Sequence, residues 1–260
     1  DSDLYLLPCS NGTLDLNTGA LREHDRKDYI TSFVSAPYDP HAECPEFDNF
    51  CRRIFEGDIG LIKYVQRAIG YSLTGSVDEQ CFFIAYGTGA NGKSTLMNII
   101  SDLLGETLAK ITPVETLLST KQGGSIPNDL ARLRGARFVV ASEPEAEQKM
   151  AEGLLKTLTG GDKIAARFLN KEYFEFTPKF KLWLQTNFKP LFSGEDGALW
   201  RRVTLIPFRV TIPKAEQDLE LLSKLKKELP GILRWAVEGC LEWQKEGLNP
   251  PDSVLQATSR

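Results

Sequence analysis

Residues 87–95 combine glycines, one lysine and hydroxyl residues at the spacing of a phosphate-binding loop. The segment Gly87–Ser94 reads Gly-Thr-Gly-Ala-Asn-Gly-Lys-Ser, which fits the pattern G-x-x-x-x-G-K-[ST]. In that pattern backbone N–H groups surround a phosphate, the lysine reaches the β and γ phosphates of a nucleotide, and the serine holds Mg²⁺. The sequence therefore predicts that Lys93 acts on the phosphates of ATP and that Ser94 binds Mg²⁺. The predicted ATP-phosphate contacts are Gly87, Thr88, Gly89, Ala90, Asn91, Gly92, Lys93, Ser94 and Thr95.

A strand and a helix are predicted on either side of this loop. The apolar run Cys81–Tyr86 predicts a buried strand, and apolar residues at helical spacing over Thr95–Leu104 predict a helix that stops at Gly105. A helix N-terminus adds the positive end of its dipole to the N–H groups of the loop. Strand, loop and helix together predict an anion site.

Carboxylates follow a second apolar strand. Arg137–Ala141 predicts a strand of parallel-sheet type, and Glu143 and Glu145 come soon after it. Because this strand end lies near the phosphate-binding loop, it is where Mg²⁺ and the attacking water need a base. Glu143 is the first choice for that base and for a second Mg²⁺ ligand, and Glu145 is the second choice for the base. The alternative for Glu145 is a carboxylate that stabilises the N-terminus of a helix predicted over Ala146–Leu158.

An amide and an arginine pair follow in chain order. Asn187 comes after the predicted strand Phe180–Leu184, where an amide can orient the γ phosphate against the attacking water. Arg201 and Arg202 precede the predicted strand Val203–Ile206, and a guanidinium can neutralise charge on a transferred phosphoryl group. The alternative for the arginine pair is a solvated surface position.

The stretch between the second and third strands is locally basic. Residues 156–181 contain six basic and three acidic residues, although the whole chain has a net charge of −4. Within it, Lys163–Phe176 predicts two strands around a turn near Asn170, with aromatic residues between the charges. Surfaces of that composition bind single-stranded nucleic acid. The alternative is an ordinary hairpin with a solvated face.

Composition sets the class of the whole chain. Its 260 residues include five scattered cysteines and no C-x-x-C pair, which predicts free thiols in a reducing compartment. His41, Cys44 and Cys51 lack a fourth zinc ligand, so the two cysteines are expected to be buried thiols. No membrane span and no signal peptide are expected, and the predicted location is the cytoplasm of a bacterial host or of a virus-infected cell. The first residue, Asp1, and a final helix that is cut short predict a fragment of a longer protein.

Strands that alternate with helices predict an α/β fold with a parallel sheet. The sequence divides into three predicted parts. These are an N-terminal accessory domain of a hairpin and helices over residues 1–75, a P-loop ATPase core over residues 76–212, and a helical C-terminal segment over residues 213–260.

Taken in order, these motifs resemble the superfamily 3 helicases of viruses, phages and plasmids. They are most similar to the helicase half of phage/plasmid and poxvirus-type primase-helicases, and the resemblance covers almost the whole chain. The matching segments are Gly70–Gly75 at the domain junction, Gly89–Thr95 at the phosphate-binding loop, Ala141–Glu145 at the acidic strand end, Lys156–Asp162 and Arg167 at the extra motif, Asn187 at the sensor position, and Trp200–Arg202 at the arginine-finger position. Pro144 replaces the family's usual polar residue and leaves the choice of base between Glu143 and Glu145 open.

The resemblance implies a P-loop NTPase core of the AAA+ type and a ring, commonly hexameric, with ATP bound between subunits. It also implies that Arg202, or else Arg201, is the arginine finger and that a hairpin tipped by Asn170 and Lys171 faces the ring channel. The DNA-binding residues implied are Lys156, Lys163, Arg167, Asn170 and Lys171. The family also allows a primase domain in the same full-length chain.

The expected function is an ATP-dependent DNA helicase that acts on single-stranded or forked DNA during replication of a phage, plasmid or virus. Two other classes stay open at this point. One is a small-molecule P-loop kinase, which would need an acceptor substrate and would work as a monomer. The other is a nucleotide-switched DNA-binding or assembly module that does not unwind DNA.

Overall fold

The computed structural model describes residues 4–28, 33–119, 127–142, 149–188 and 197–259. The first elements form a small unit of strands and helices. Strands β1 (Leu6–Cys9), β2 (Gly12–Asp15) and β3 (Ala20–Arg22) pair antiparallel in that order, and helices α1 (Pro45–Ile54) and α2 (Ile59–Leu73) follow them. The hairpin and helices expected in this region are therefore present.

A parallel sheet of five strands forms the centre of the described chain. Its strands are β4 (Phe82–Tyr86), β5 (Ala109–Pro113), β6 (Phe138–Ser142), β9 (Lys181–Thr186) and β10 (Val203–Pro207). They lie in the order β10-β4-β9-β6-β5, and every neighbouring pair is parallel. Parallel neighbours need crossover connections, which helices commonly provide. The predicted α/β class with a parallel sheet is confirmed.

Alternate residues of these strands pack into two apolar cores, one on each face of the sheet. Phe83, Val140 and Trp183 belong to the core that also contains residues of α1 and α2, whereas Ile84 and Leu184 belong to the other. Successive side chains of a strand point to opposite faces, so strands covered on both sides are apolar along their whole length. This is why the strands could be recognised as short apolar runs.

Helices cover both faces of the sheet. Helix α3 (Lys93–Leu108) follows β4 and is broken at Gly105, where φ is 71°. The remaining elements are α4 (Pro127–Ala131), α5 (Glu152–Gly160), the hairpin of β7 (Ile164–Ala166) and β8 (Phe174–Phe176), α6 (Gly197–Trp200), α7 (Leu221–Lys227), α8 (Leu229–Glu246), α9 (Asp252–Thr258), and short 3-10 helices over Arg26–Asp28, Val114–Leu117 and Lys214–Glu216. Across the described ranges, every helix is too short or too polar to cross a membrane.

Of the helix predicted over Ala146–Leu158, residues 146–148 lie outside the described part of the chain, and residues 149–151 are not helical. Met150 pairs with Leu118 in an isolated β-bridge, and the N–H of Ala151 donates to the Leu117 carbonyl at 2.8 Å. Helix α5 therefore begins only at Glu152. A buried Met150 fits either a helix or a bridge, and apolar spacing alone cannot separate the two.

The two cysteines that raised the question of zinc are buried thiols, as expected. Cys44 and Cys51 are each 1% exposed and belong to the larger apolar core. Burial raises the pKa of both thiols, to about 12 for Cys44. A thiol with so high a pKa stays protonated at neutral pH and behaves as a small apolar group.

Helices α2 and α8 touch through glycines. A Cβ on Gly70 would lie 2.1 Å from the backbone nitrogen of Cys240, and one on Gly239 would lie 2.1 Å from the Gln66 carbonyl oxygen. Helix α8 therefore packs directly against α2, although more than 150 residues separate them in the sequence. The division of the chain into three parts stays a prediction.

Two buried cations tie the amino edge of the sheet to the end of α2. The Arg137 guanidinium donates to the Leu73 carbonyl at 2.6 Å, and the Lys181 ammonium donates to the Ser76 carbonyl at 3.0 Å. Burial, with the nearby Arg137 charge, lowers the pKa of Lys181. Lys181 is 1% exposed, so the surface over residues 156–181 is less basic than the residue count suggests.

Candidate nucleotide-binding site

The glycine-rich loop lies between β4 and α3, at the carboxyl edge of the sheet. β4 ends at Tyr86 and α3 begins at Lys93, so the loop stands where the sequence predicts it. Ala90 and Gly92 have positive φ angles of 57° and 86°. The first hydrogen bond of α3 runs from the Leu96 N–H to the Gly92 carbonyl at 2.9 Å. The N–H groups of the turn before it lie at a helix N-terminus, which is a ready anion site.

Neighbouring segments hold the loop from the outside. A Cβ on Gly87 would lie 2.1 Å from the Phe208 carbonyl oxygen, and one on Gly92 would lie 2.4 Å from Cγ2 of Ile54 in α1. Both positions therefore require glycine, because the neighbouring atoms leave no room for a Cβ. The shape of the loop depends on α1 and on the segment that follows β10.

Lys93 turns back into the loop and is 6% exposed. Its ammonium donates to the Gly87 carbonyl, to Asn91 Oδ1 at 3.1 Å and to Asn187 Oδ1 at 3.3 Å. In the described ranges these acceptors are all neutral. Burial lowers the pKa of Lys93, because the charged form is poorly solvated there. A largely buried cation that meets only dipoles favours the binding of an anion.

A cavity of about 410 Å³ opens in front of the loop. Its lining comes from the loop, the first turn of α3 and the ends of β6 and β9: Gly89, Ala90, Asn91, Gly92, Lys93, Ser94, Thr95, Ser142, Gln185, Thr186 and Asn187. A Cβ on Gly89 would meet nothing within 4 Å, so the loop leaves open space on this side. The structure thus brings Asn187 and most of the predicted phosphate contacts together around one cavity.

Gln185 lines this cavity although the sequence analysis did not select it. The Ser94 hydroxyl donates to Gln185 Oε1 at 3.0 Å. The signal was present in the sequence, because Gln185 lies two residues before Asn187 and such residues share one face of a strand.

Glu143 and Glu145 lie outside the described residues, so their roles as base and Mg²⁺ ligand stay predictions. Ser142, directly before them in sequence, is the last residue of β6 and lines the cavity.

Arg201 and Arg202 lie at the amino edge of the sheet. They precede β10, which runs parallel to β4, so a strand of five residues, roughly 15 Å long, separates them from the loop of their own chain. Arg201 is exposed, whereas Arg202 is half-buried and donates to Gln80 Oε1 at 2.9 Å. Neither arginine therefore lies beside the loop of its own chain.

The predicted hairpin is present between α5 and β9. Strands β7 and β8 pair antiparallel, and Asn170 has a positive φ of 58° in the connection. The Arg167 guanidinium lies 4.7 Å from the centre of the Tyr173 ring, which is 58% exposed. Lys156 lies on α5, half-buried, and not on the hairpin itself. The exposed cations of the hairpin region are Lys163, Arg167 and Lys171.

The parallel sheet, with a glycine loop leading from β4 into α3, defines a P-loop NTPase-like core. Residues 1–56 match the family described as D5 N terminal like, and residues 85–202 match a family of unknown function, DUF5906. With the relatives described next, these matches support a relationship with the D5-type primase-helicase family, and with its helicase part.

Several viral proteins are similar to almost the whole chain. A protein of Acanthamoeba polyphaga mimivirus that has a helicase name is 33% identical over 242 residues, which are 91% of this chain and 25% of that protein. Another with a helicase name, from Invertebrate iridescent virus 6, is 29% identical over 239 residues, covering 88% of this chain and 24% of that protein. A protein of African swine fever virus with a primase name is 23% identical over 213 residues, covering 78% of this chain and 22% of that protein. The chain therefore spans about a quarter of the length of these relatives.

The fold is also found in a solved structure. The apo structure of the NrS-1 C-terminal region (305–718) superposes with a TM-score of 0.66 and covers 86% of this chain and 54% of that one. The sequence identity is 14%, so this likeness shows the fold alone.

We predict that Gly92→Ala destabilises the protein more than Gly135→Ala. Both glycines have a left-handed φ, 86° and 83°, so alanine costs about 1–2 kcal/mol of backbone strain at either position. A Cβ would meet Ile54 at 2.4 Å in the first case and nothing within 4 Å in the second. In urea unfolding, we therefore expect Gly92→Ala to lose at least about 1 kcal/mol more. Equal losses would show that α1 does not hold the loop.

Proposed function

We propose that this chain is the motor part of a replicative DNA helicase. It binds ATP with Mg²⁺ at residues 87–95, hydrolyses the bond between the β and γ phosphates with water, and moves along single-stranded DNA. The main support is the Lys93 ammonium, which is 6% exposed, borders the cavity and meets only neutral acceptors within the described residues. The helicase and primase names of the viral relatives support DNA as the substrate.

The groups around the cavity fit a triphosphate with Mg²⁺. The first-turn N–H groups of α3 and the Lys93 ammonium are donors for phosphate oxygens. The Ser94 hydroxyl is a hard oxygen ligand of the kind that Mg²⁺ accepts, and open space beside Gly89 leaves room for phosphate. When bound, Mg²⁺ would neutralise charge on the β and γ phosphates.

The chain's own residues divide the remaining tasks. Asn187, whose Oδ1 accepts from Lys93, would orient the γ phosphate and the attacking water. Glu143 is the first choice for the base that takes a proton from that water, and Glu145 is the second. Both follow Ser142, which borders the cavity.

We further propose that ATP is hydrolysed between two copies of the chain in a ring, most simply a hexamer. The loop lies at the carboxyl edge of the sheet and the arginine pair at the amino edge, so one chain alone cannot bring them together. In a ring, the arginine of one copy could complete the site of the next. Arg201 is exposed and Arg202 is bound to Gln80, so both stay candidates.

The hairpin of β7 and β8 is the proposed DNA contact. Lys163, Arg167 and Lys171 are exposed there, and Tyr173 offers an exposed ring that a base can stack upon. Cations bind the phosphates of any sequence, which suits a motor that must move along DNA without regard to sequence.

Lys93→Ala is expected to abolish nucleotide binding and hydrolysis in a folded protein. The variant removes the cation that faces the phosphates, and loss of one such donor typically costs at least about 100-fold in kcat. Phosphate release and titration with a fluorescent nucleotide measure both effects. Lys245→Ala, at an exposed position of α8, removes the same charge elsewhere and should behave as wild type. Near-normal turnover in Lys93→Ala would rule out this site as the seat of hydrolysis.

A mixture of two inactive variants tests the site between copies. Lys93→Ala lacks the loop cation, and Arg201→Ala or Arg202→Ala lacks the candidate finger. We expect one of the two mixtures to regain ATPase activity, because an intact loop then meets an intact arginine across an interface. Light scattering with nucleotide and a DNA oligomer checks that the copies assemble. Assembled mixtures that both stay inactive would contradict a finger supplied by a neighbour.

Lys171→Ala should weaken single-stranded DNA binding while basal ATPase activity stays near wild type. One phosphate contact is lost, so the slope of log affinity against log salt should become shallower by about 0.7. Lys227→Ala, exposed on α7, is the control for loss of charge. Strand displacement on a forked substrate then separates a helicase from a nucleotide-switched module that does not unwind. An unchanged salt slope in Lys171→Ala would remove the hairpin tip from DNA binding.

A further inference from the structure

Two amide side chains from the end of β9 hold two side chains of the glycine-rich loop. Asn187 Oδ1 accepts from the Lys93 ammonium at 3.3 Å, and Gln185 Oε1 accepts from the Ser94 hydroxyl at 3.0 Å. The first contact involves Asn187, which the sequence predicts to orient the γ phosphate against the attacking water. The second involves Gln185, to which the sequence motifs assign no role.

The register of the sheet fixes Gln185 beside the loop. Gln185 pairs with Ala85 of β4, two residues before Gly87. Gln185 lies in β9, Asn187 directly follows the last residue of that strand, and both line the cavity. Gln185 is half-buried, so its surroundings restrict where the amide can lie.

The direction of the hydrogen bond matters for metal binding. A serine hydroxyl has one proton to donate and two lone pairs that accept. When Ser94 donates that proton to Gln185, the lone pairs of Oγ are left for a cation. Mg²⁺ demands near-octahedral oxygen ligands, and the partners behind a ligand set its orientation.

We propose that Gln185 is a positioning residue for Mg²⁺, because it accepts the Ser94 proton and turns Oγ toward the metal that accompanies the nucleotide. This role rests on the proposed function, since it requires a Mg²⁺–nucleotide at residues 87–95. The end of β9 would then supply two amides with separate roles: Asn187 contacts Lys93, and Gln185 contacts Ser94.

Nucleotide affinity measured with Mg²⁺ and again with EDTA tests this role without turnover. The probe is a fluorescent ADP analogue, and the ratio of the two affinities is the Mg²⁺ enhancement. Gln185→Met keeps the length of the side chain and removes the acceptor, so we expect the enhancement to fall roughly tenfold, as it does when an outer-shell partner is lost. The affinity in EDTA should not change.

A double-variant cycle asks whether Gln185 acts through Ser94. Ser94→Ala should lower the enhancement at least as far as Gln185→Met, and the double variant should lower it no further than Ser94→Ala. Gln185→Glu keeps an acceptor and should retain the enhancement. Gln185→Leu is a second acceptor-free variant in case the first does not fold, and Gln256→Met, at an exposed glutamine of α9, is the control.

Three outcomes would overturn the role. The first is a wild-type enhancement in folded Gln185→Met or Gln185→Leu. The second is an additive loss in the double variant, which would separate Gln185 from Ser94. The third is a wild-type chain without affinity for Mg²⁺–nucleotide, which would end the proposed function as well. In the first two cases wild-type binding persists, so only the role of Gln185 is lost.

Discussion

The charge of Lys93, held among dipoles at the start of a helix, is the interaction on which the arrangement of the site depends. The ammonium is 6% exposed and is met by the Gly87 carbonyl and by the amides of Asn91 and Asn187. Desolvation penalises such a charge unless the surroundings compensate for it. The compensation here comes from two segments, the loop itself and Asn187, which directly follows β9. A change in either of them alters how strongly the site attracts an anion.

The parallel sheet imposes a second constraint, because it separates the side chains at its carboxyl edge from those at its amino edge. Loop, Ser142 and the two amides share one edge, whereas Arg201, Arg202 and the buried pair Arg137 and Lys181 belong to the other. The buried pair stabilises the junction with α2, and the other two arginines lie beside the start of β10. A site that needs both edges must therefore be shared between molecules. The viral relatives are about four times as long as this chain.

Much of this could be predicted from the sequence, because the relevant signals are local. Apolar strands buried on both faces, a glycine-rich loop and helical spacing mark β4, α3 and the hairpin turn at Asn170 directly. Signals that depend on distant contacts were missed. Lys181 looks like a surface cation until its carbonyl partners are known, and Met150 looks helical until its bridge to Leu118 is seen. The spacing between Gln185 and Asn187 suggests that they share a face, but only the strand register shows that Gln185 lies beside the loop.

The close backbone contact between α2 and α8 limits where this region can be divided without loss of stability. At Gly70 and Gly239 the two backbones approach so closely that even a methyl group would collide. The two helices, one before the sheet in sequence and one after it, thus form a tightly packed pair within one apolar core. A gene fusion, truncation or domain swap that removes either α2 or α8 would expose the surface of the other helix that the lost helix covers. A segment that is exchanged as a unit should therefore include both α2 and α8, with the residues between them in sequence.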